Sequence, residues 1–254
     1  MNNKNKIALV TGGSRGLGKD MAFKLAEKGL DVILTYNSSA DEAEEVVREI
    51  VKSGRKAAAL QLDTSSIKSF DQFTAKLNSI LADQFDTDSL DFLVNNAGFG
   101  RIATIADFTE EMFDELMNVH FKGVFFLTQK IIPIMNEGGG IVNVSSGLAR
   151  VSVPGSSVYA SMKGAVEVFT RYLAKELGAK QIRANVIAPG AVATDFNGAH
   201  LRKDEKLSTF VSSVTALGRV GMADDIGGVV AFLCTDDARW VNGQRIEISG
   251  GMFV

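Results

Sequence analysis

The sequence predicts a single α/β domain built on a doubly wound, mainly parallel sheet of seven strands with helices on both faces. Three observations lead there. Seven short apolar or β-branched runs alternate with longer segments of helical periodicity. The runs are apolar throughout rather than alternating with polar residues, as strands covered on both faces require. The 254 residues are 46% hydrophobic, contain only 3 prolines and show no linker or repeat, which suits one core. Right-handed crossovers between parallel strands bring the strands' carboxyl ends to one edge, and ligands of such sheets bind there. Residues just after strands are therefore the first candidates for chemistry.

The first strand, 7–11, runs into Thr11-Gly12-Gly13-Ser14-Arg15-Gly16-Leu17-Gly18, and a helix over 17–28 follows. Glycines here let the backbone turn tightly and approach a phosphate held at the helix N-terminus. Gly13, Gly18 and Lys19 also stand at the spacing of a nucleoside-triphosphate loop, but Asp20 occupies the place where a magnesium-binding hydroxyl is needed. The second strand, 32–36, ends in Thr35-Tyr36-Asn37-Ser38-Ser39, and a helix spans 41–52. The third, 57–62, is followed by Asp63 and Thr64 and a helix over 66–82. The fourth, 92–95, ends in Asn95-Asn96-Ala97-Gly98, and one long helix is expected over 110–135. The fifth, 141–145, ends at Ser145 and Ser146, and a helix over 158–177 carries Tyr159 and Lys163, four apart and so on one face. The sixth, 183–188, leads into Pro189-Gly190 and a polar, glycine-containing segment over about 194–213 that reads as a mobile cover. The single cysteine, Cys234, lies in an apolar helical run before the last strand, 245–249, and reads as a buried thiol.

Taken together, the glycine loop, Asp63, Asn95-Asn96-Ala97-Gly98, Ser146 thirteen positions before Tyr159, the Tyr159-x-x-x-Lys163 pair and Pro189-Gly190 make the chain resemble the short-chain dehydrogenase/reductase family over essentially its whole length. Within it, the chain is most similar to 3-oxoacyl-[acyl-carrier-protein] reductases and related carbonyl or sugar dehydrogenases. The resemblance implies a Rossmann-type domain that transfers hydride between a nicotinamide and a ketone, 3-oxoacyl thioester or sugar-like alcohol. It implies that Asp63, Asn96, Ala97 and Gly98 border the adenosine and that 189–194 flank the nicotinamide. The expected cofactor contacts are Gly12, Ser14, Arg15, Gly16, Leu17 and Gly18 in the loop, with Tyr36, Asn37 and Ser38 after the second strand. Asp63 and Thr64 follow the third strand and Asn96, Ala97 and Gly98 the fourth; Tyr159 and Lys163 on the helix and Pro189, Gly190, Val192 and Thr194 after the sixth strand complete the set.

The residues' own chemistry agrees. An ammonium beside a phenol favours the phenolate, so Lys163 is expected to make Tyr159 a proton exchanger near neutrality, while Ser146 hydrogen-bonds the same substrate oxygen. Ser145 is the alternative hydroxyl, expected to support the strand end instead. One residue departs from the family pattern: where many members carry a relay asparagine, this chain has His120, which is expected either to serve that relay, since imidazole titrates near neutrality, or to fill space. Asn118, two residues away on a helix, should point elsewhere. No carboxylate at Tyr36-Asn37-Ser38 repels a 2′-phosphate and Arg15 can attract one, so NADP(H) is expected over NAD(H). Gly147, Leu148, Val151, Val153 and Phe196 are expected in the pocket wall.

The net charge of −3 with scattered basic residues gives no reason to expect nucleic acid, and one Cys with 2 His makes a metal site unexpected. The segment 1–6 lacks the apolar stretch of a secretion signal and no run approaches a membrane span, so a cytoplasmic protein is expected. By analogy with the family a homotetramer is expected, built from the 110–135 and 158–177 helices. The competing reading is a catalytically silent NADP(H) sensor, which would need only the 12–18 half of the motif set.

Overall fold

The computed structural model describes residues 5–254, the side chains of Asn197 and His200 excepted; the reading of 1–6 as lacking a signal thus falls largely outside the described residues. The seven strands are β1 Ile7–Val10, β2 Asp31–Tyr36, β3 Ala57–Gln61, β4 Leu90–Asn95, β5 Met135–Val144, β6 Arg183–Pro189 and β7 Arg245–Ile248. They form one sheet in the order β3-β2-β1-β4-β5-β6-β7, every neighbouring pair parallel. The chain winds outward from β1 in both directions, which makes β1/β4 the switch point, with a crevice at its carboxyl end.

The helices are α1 Gly16–Glu27, α2 Ala40–Lys52, α3 Phe70–Phe85, α4 Glu110–Met117, α5 Val124–Ile131, α6 Ser157–Glu176, the short α7 His200–Lys203, α8 Glu205–Ser213 and α9 Gly227–Leu233. The two-residue period of a strand sorts the core. Ala8, Val10, Val32, Leu34, Val142 and Val144 pack with Met21, Leu25, Val46 and Val230 of α1, α2 and α9 on one face. Ile7, Leu9, Ile33, Leu93 and Ile141 pack with Phe73, Leu77, Leu127 and Leu173 of α3, α5 and α6 on the other. At about 25 cal/mol per Å² of apolar area, burying each such side chain contributes on the order of 1.5–3 kcal/mol, and both strand faces contribute.

Two elements differ from expectation. The helix expected over 110–135 is broken: α4 gives way to a wide π-turn over Asn118–Gly123 before α5 begins. The cause is a close backbone approach, since a Cβ on Gly123 would lie 2.1 Å from the Thr64 carbonyl oxygen. The fifth strand begins at Met135 rather than 141, with a register shift opposite Leu90 and Phe92. Its Gly138 has φ +77° and a Cβ on Gly139 would meet the Asp91 carbonyl at 2.2 Å, so glycines that read as a loop are there to let two strands touch. The 194–213 segment forms short helical pieces, α8 starting where the Asp204 side chain accepts from the Leu207 amide.

Candidate active site

Thr11, the last residue before the glycine loop, ties the loop to β4. Its hydroxyl accepts from the amides of Asn96 (2.9 Å) and Ala97 (3.0 Å) and donates to Val94. The Asn96 side chain in turn donates through Nδ2 to the carbonyls of Thr11 and Gly12. Thr35 holds the other side, its hydroxyl accepting from Gly12 N–H and its carbonyl from Gly13 N–H. Gly12, at φ +65°, leaves no room for a side chain, because a Cβ would sit 2.9 Å from Ala97 Cα; a Cβ on Gly18 would strike the Gly12 carbonyl at 2.1 Å. The loop therefore lies flat against β4 and opens onto the first turn of α1, which carries no acidic residue and no side-chain cap. Those uncapped amides form a cradle that fits a pyrophosphate.

The other expected cofactor residues surround this cradle. Arg15 is exposed at the loop's tip, and among the described residues its side chain has no ion-pair partner. Asn37 and Ser38 are exposed beyond β2, Tyr36 packs partly against the core, Leu17 likewise, and Ser14 is buried. The Asp63 carboxylate is engaged by the Ser65 amide and hydroxyl, and Thr64 presents its carbonyl to Gly123. On the far side Pro189 ends β6, and a Cβ on Gly190 would lie 2.8 Å from Ser249 Cα. Val192 bridges to Gly221, and buried Thr194 lies against Gly16, where a Cβ would make an ordinary 3.7 Å contact with the Thr194 Cβ. Asp20, which stood in the metal-ligand position of the triphosphate-loop reading, instead accepts from the first amide of α9, Gly227 N–H, at 2.9 Å. That carboxylate is a cap between helices, and the triphosphate reading has no support left.

At the carboxyl ends of β5 and α6's first turns lie Ser146, Tyr159 and Lys163. The Ser146 hydroxyl lies close enough to the Tyr159 phenol to draw its pKa down, and it accepts from Leu148 N–H, which starts the turn Gly147–Ala149. Lys163 is buried, donates to the Val144 carbonyl at 2.7 Å and places its ammonium 5.5 Å from the centre of the Tyr159 ring. Burial pushes the phenol above the ordinary tyrosine range, against a smaller downward pull from Ser146, and pushes the lysine down to about 7. This differs from the expected balance. Desolvation disfavours both charged forms and dominates both shifts, so Tyr159 is a neutral phenol near pH 7.

His120 lies on the π-turn against this group. Its ring meets Tyr159 edge-on at 5.0 Å, and its Nε2–H donates to the Phe99 carbonyl at 2.6 Å. Nδ1 is buried and has no hydrogen-bond partner among the described residues. Desolvation, with the Lys163 charge adding to it, holds the imidazole well below its ordinary pKa, so it is a neutral ring with a free acceptor and not the group titrating near neutrality that the sequence suggested. Gly98 makes room for it, since a Cβ there would be 2.6 Å from His120 Cε1.

The rings of Phe99, His120, Tyr159 and Phe196 follow one another at centroid spacings of 5.6, 5.0 and 6.0 Å, and make an aromatic wall. Val153 is exposed, as is Ile102, which lies against Gly155. A side chain on Gly147 would face Glu247 and the Pro189 carbonyl. Ser145 faces away from the cleft, its hydroxyl donating to Glu167 at 2.6 Å, as expected of a strand-end support. Sequence reasoning missed Thr35, Phe99, Glu167 and Arg245, because their contacts come from chain crossings that local spacing does not encode.

A family model described as enoyl-(acyl carrier protein) reductase matches residues 12–253. The hydroxynaphthalene reductase-like protein of Metarhizium robertsii is 38% identical over 258 residues, covering 97% of this chain and 94% of its own. Among solved structures, a short-chain dehydrogenase/reductase of Serratia marcescens (a double variant) is 31% identical with TM-score 0.90, covering 100% of each chain. The landomycin C-6 ketoreductase LanV with bound NADP and rabelomycin is 37% identical with TM-score 0.90, covering 99% of this chain and 98% of its own.

Proposed function

The chain belongs to the short-chain dehydrogenase/reductase family, and from that premise we propose that it is an NADPH-dependent ketoreductase acting on a planar, ring-fused ketone, with Tyr159 as the proton donor. One observation carries the reading: the Ser146 hydroxyl and Tyr159 phenol meet at one point of an aromatic-walled cleft, beside the mouth of the glycine loop. Two hydroxyls converging there offer a carbonyl oxygen two donors, and the tilted rings of Phe99 and Phe196 beside them offer apolar contact to a ring-fused substrate. LanV, with rabelomycin bound, and the hydroxynaphthalene reductase-like relative lend the substrate class their support.

NADPH would be held at its pyrophosphate by the uncapped first turn of α1, and Arg15, Asn37 and Ser38, exposed at the loop tip and the end of β2, would hold its 2′-phosphate. The bound nicotinamide supplies hydride to the carbonyl carbon. As negative charge grows on the oxygen, Ser146 donates a hydrogen bond to it and Tyr159 gives up its phenolic proton, so that C=O plus hydride plus proton become CH–OH. Lys163, 5.5 Å from the ring, stabilises the phenolate left behind when charged, and a proton from solvent restores the phenol. The silent-sensor reading accounts for the loop but leaves the Ser146–Tyr159 pairing without a purpose.

The test is NADPH oxidation with a panel of naphthol-type and polycyclic ketones, simple ketones, 3-oxoacyl and enoyl thioesters and oxidised sugars. Ring-fused ketones should turn over fastest and Tyr159→Phe should lower kcat by about 10²–10⁴-fold; preference for enoyl thioesters would replace ketone reduction with double-bond reduction. The assembly we propose is a homotetramer in the cytoplasm. Exposed Phe125 on α5 and Val168 and Tyr172 on α6 give it an apolar face, and a monomer mass by light scattering would remove it. No described helix is long and apolar enough to cross a membrane.

A further inference from the structure

Behind Ser146, on the side away from the cleft, lies a group of charges that the reaction as derived does not use. Arg245, on β7, donates through Nε to Glu167 at 2.7 Å, through Nη1 to Glu247 two residues along its own strand, and through Nη2 to the Ser146 carbonyl at 3.3 Å. The Glu167 oxygen that receives Arg245 also receives the Ser145 hydroxyl at 2.6 Å. Arg150, just past the Ser146 turn, approaches Glu247 at 3.9 Å, which brings two cations to two carboxylates. The Arg245, Glu167 and Glu247 side chains are only 23%, 15% and 28% exposed, so solvent screens these contacts incompletely.

We propose that Arg245 and Glu167 are positioning residues for Ser146, clamping the end of β5 to α6 so that the Ser146 hydroxyl stays on the Tyr159 phenol. The argument is geometric. Glu167 follows Lys163 by one helical turn, as Lys163 follows Tyr159, so α6 offers three consecutive turns to the same strand end. The Ser145–Ser146 segment has two handles turned from the cleft, the Ser145 hydroxyl and the Ser146 carbonyl. Glu167 holds the first and Arg245 the second, and the two hold each other. A guanidinium fork reaches three groups in fixed directions, which a lysine cannot do. With both handles fixed, the Ser146 side chain is left directed at Tyr159, where a displacement of an ångström is costly in rate.

This rests on the ketoreductase reading for its effect on rate but not for its effect on structure, so the experiment has both readouts. Arg245→Met, Arg245→Lys, Glu167→Gln and the Arg245→Met/Glu167→Gln pair are compared with the parent protein and with Tyr159→Phe. Hydrogen exchange of segment 145–150, followed by mass spectrometry without substrate, should rise at least about tenfold in Arg245→Met while the glycine loop is unchanged. With the best ketone, kcat should fall about tenfold with KM and NADPH affinity within twofold. Arg245→Lys should fall between, and the double variant should be no slower than Arg245→Met because the two residues act as one unit. Unchanged exchange in a folded Arg245→Met protein overturns the clamp whether or not any ketone is reduced. Faster exchange with kcat kept, or additive losses, overturns the positioning role. Exchange as expected in a protein inert to every carbonyl leaves the clamp standing and removes the reductase reading instead.

Discussion

Lys163 is buried and Tyr159, one helical turn before it, is half-buried, and desolvation moves them in opposite directions: the phenol's pKa up, the ammonium's down to about 7. The lysine makes a stability signal of known sign. Unfolded, it titrates near its ordinary value of 10.5; folded, near 7. Below pH 7 both states are charged and the folded chain bears the full cost of burying the ammonium. Between about 7 and 10.5 the unfolded state binds a proton the folded state does not, so stability rises with pH and the cost fades. Lys163→Met should therefore stabilise most at pH 6–7, and its advantage over the parent should shrink toward pH 9, with a slope approaching about 1.4 kcal/mol per pH unit. Urea unfolding of both proteins across that range measures it, and a pH-independent difference would mean that Lys163 is not desolvated. The i, i+4 pair itself was legible in the sequence because helical spacing places it. The direction of the shifts was not, because it comes from the β5 end covering Lys163, whose ammonium donates to the Val144 carbonyl.

The element that sequence periodicity read least well is the one that aims His120. Apolar spacing over 110–135 fits one helix, and nothing in it marks the π-turn at Asn118–Gly123, whose cause is the Thr64 carbonyl pressing on Gly123 from another strand's loop. The widened turn carries His120 under Gly98 and edge-on to Tyr159, with Nε2–H committed to Phe99 and Nδ1 left as a buried acceptor. A buried acceptor without a donor costs about 1–3 kcal/mol, so we propose that Nδ1 takes a hydrogen bond from a water or substrate hydroxyl on the way to Lys163. The imidazole does this as a neutral ring. His120→Asn, which keeps an acceptor, should hold kcat within about threefold, and His120→Leu should lower it about three- to tenfold, the equivalent of one hydrogen bond. Neither should alter the kcat–pH profile around neutrality, since desolvation keeps the ring uncharged there; a limb lost in both variants would show that His120 itself titrates in the reaction. The start of β5 was hidden for a similar reason, as Gly138 and Gly139 look like a turn until Asp91 is seen against them.

At the scale of the molecule, the doubly wound order was legible because seven apolar runs and right-handed crossovers leave few arrangements, and that order alone brings Thr11, Asn96, Ser146 and Gly190 to one edge of the sheet. What the order does not encode is how the loops close over that edge, such as Thr194 lying against Gly16. Cofactor binding therefore couples the glycine loop, the β4 end and the 194–213 segment, and should stabilise the whole domain rather than one loop. At 100 times its dissociation constant a ligand adds about 2.7 kcal/mol, which for a domain of this size is a rise in Tm of roughly 5–10 °C. NADPH should produce that rise at a lower concentration than NADH, because the β2 end offers Asn37 and Ser38 and no carboxylate. Arg15→Ala should remove the difference by weakening NADPH about tenfold or more while leaving NADH unchanged, the effect of losing one charged hydrogen bond to the 2′-phosphate. Equal losses for both nucleotides would place Arg15 on the shared pyrophosphate, and a larger shift with NADH than with NADPH would reverse the assignment of cofactor while leaving the fold and the Ser146–Tyr159 site as they are.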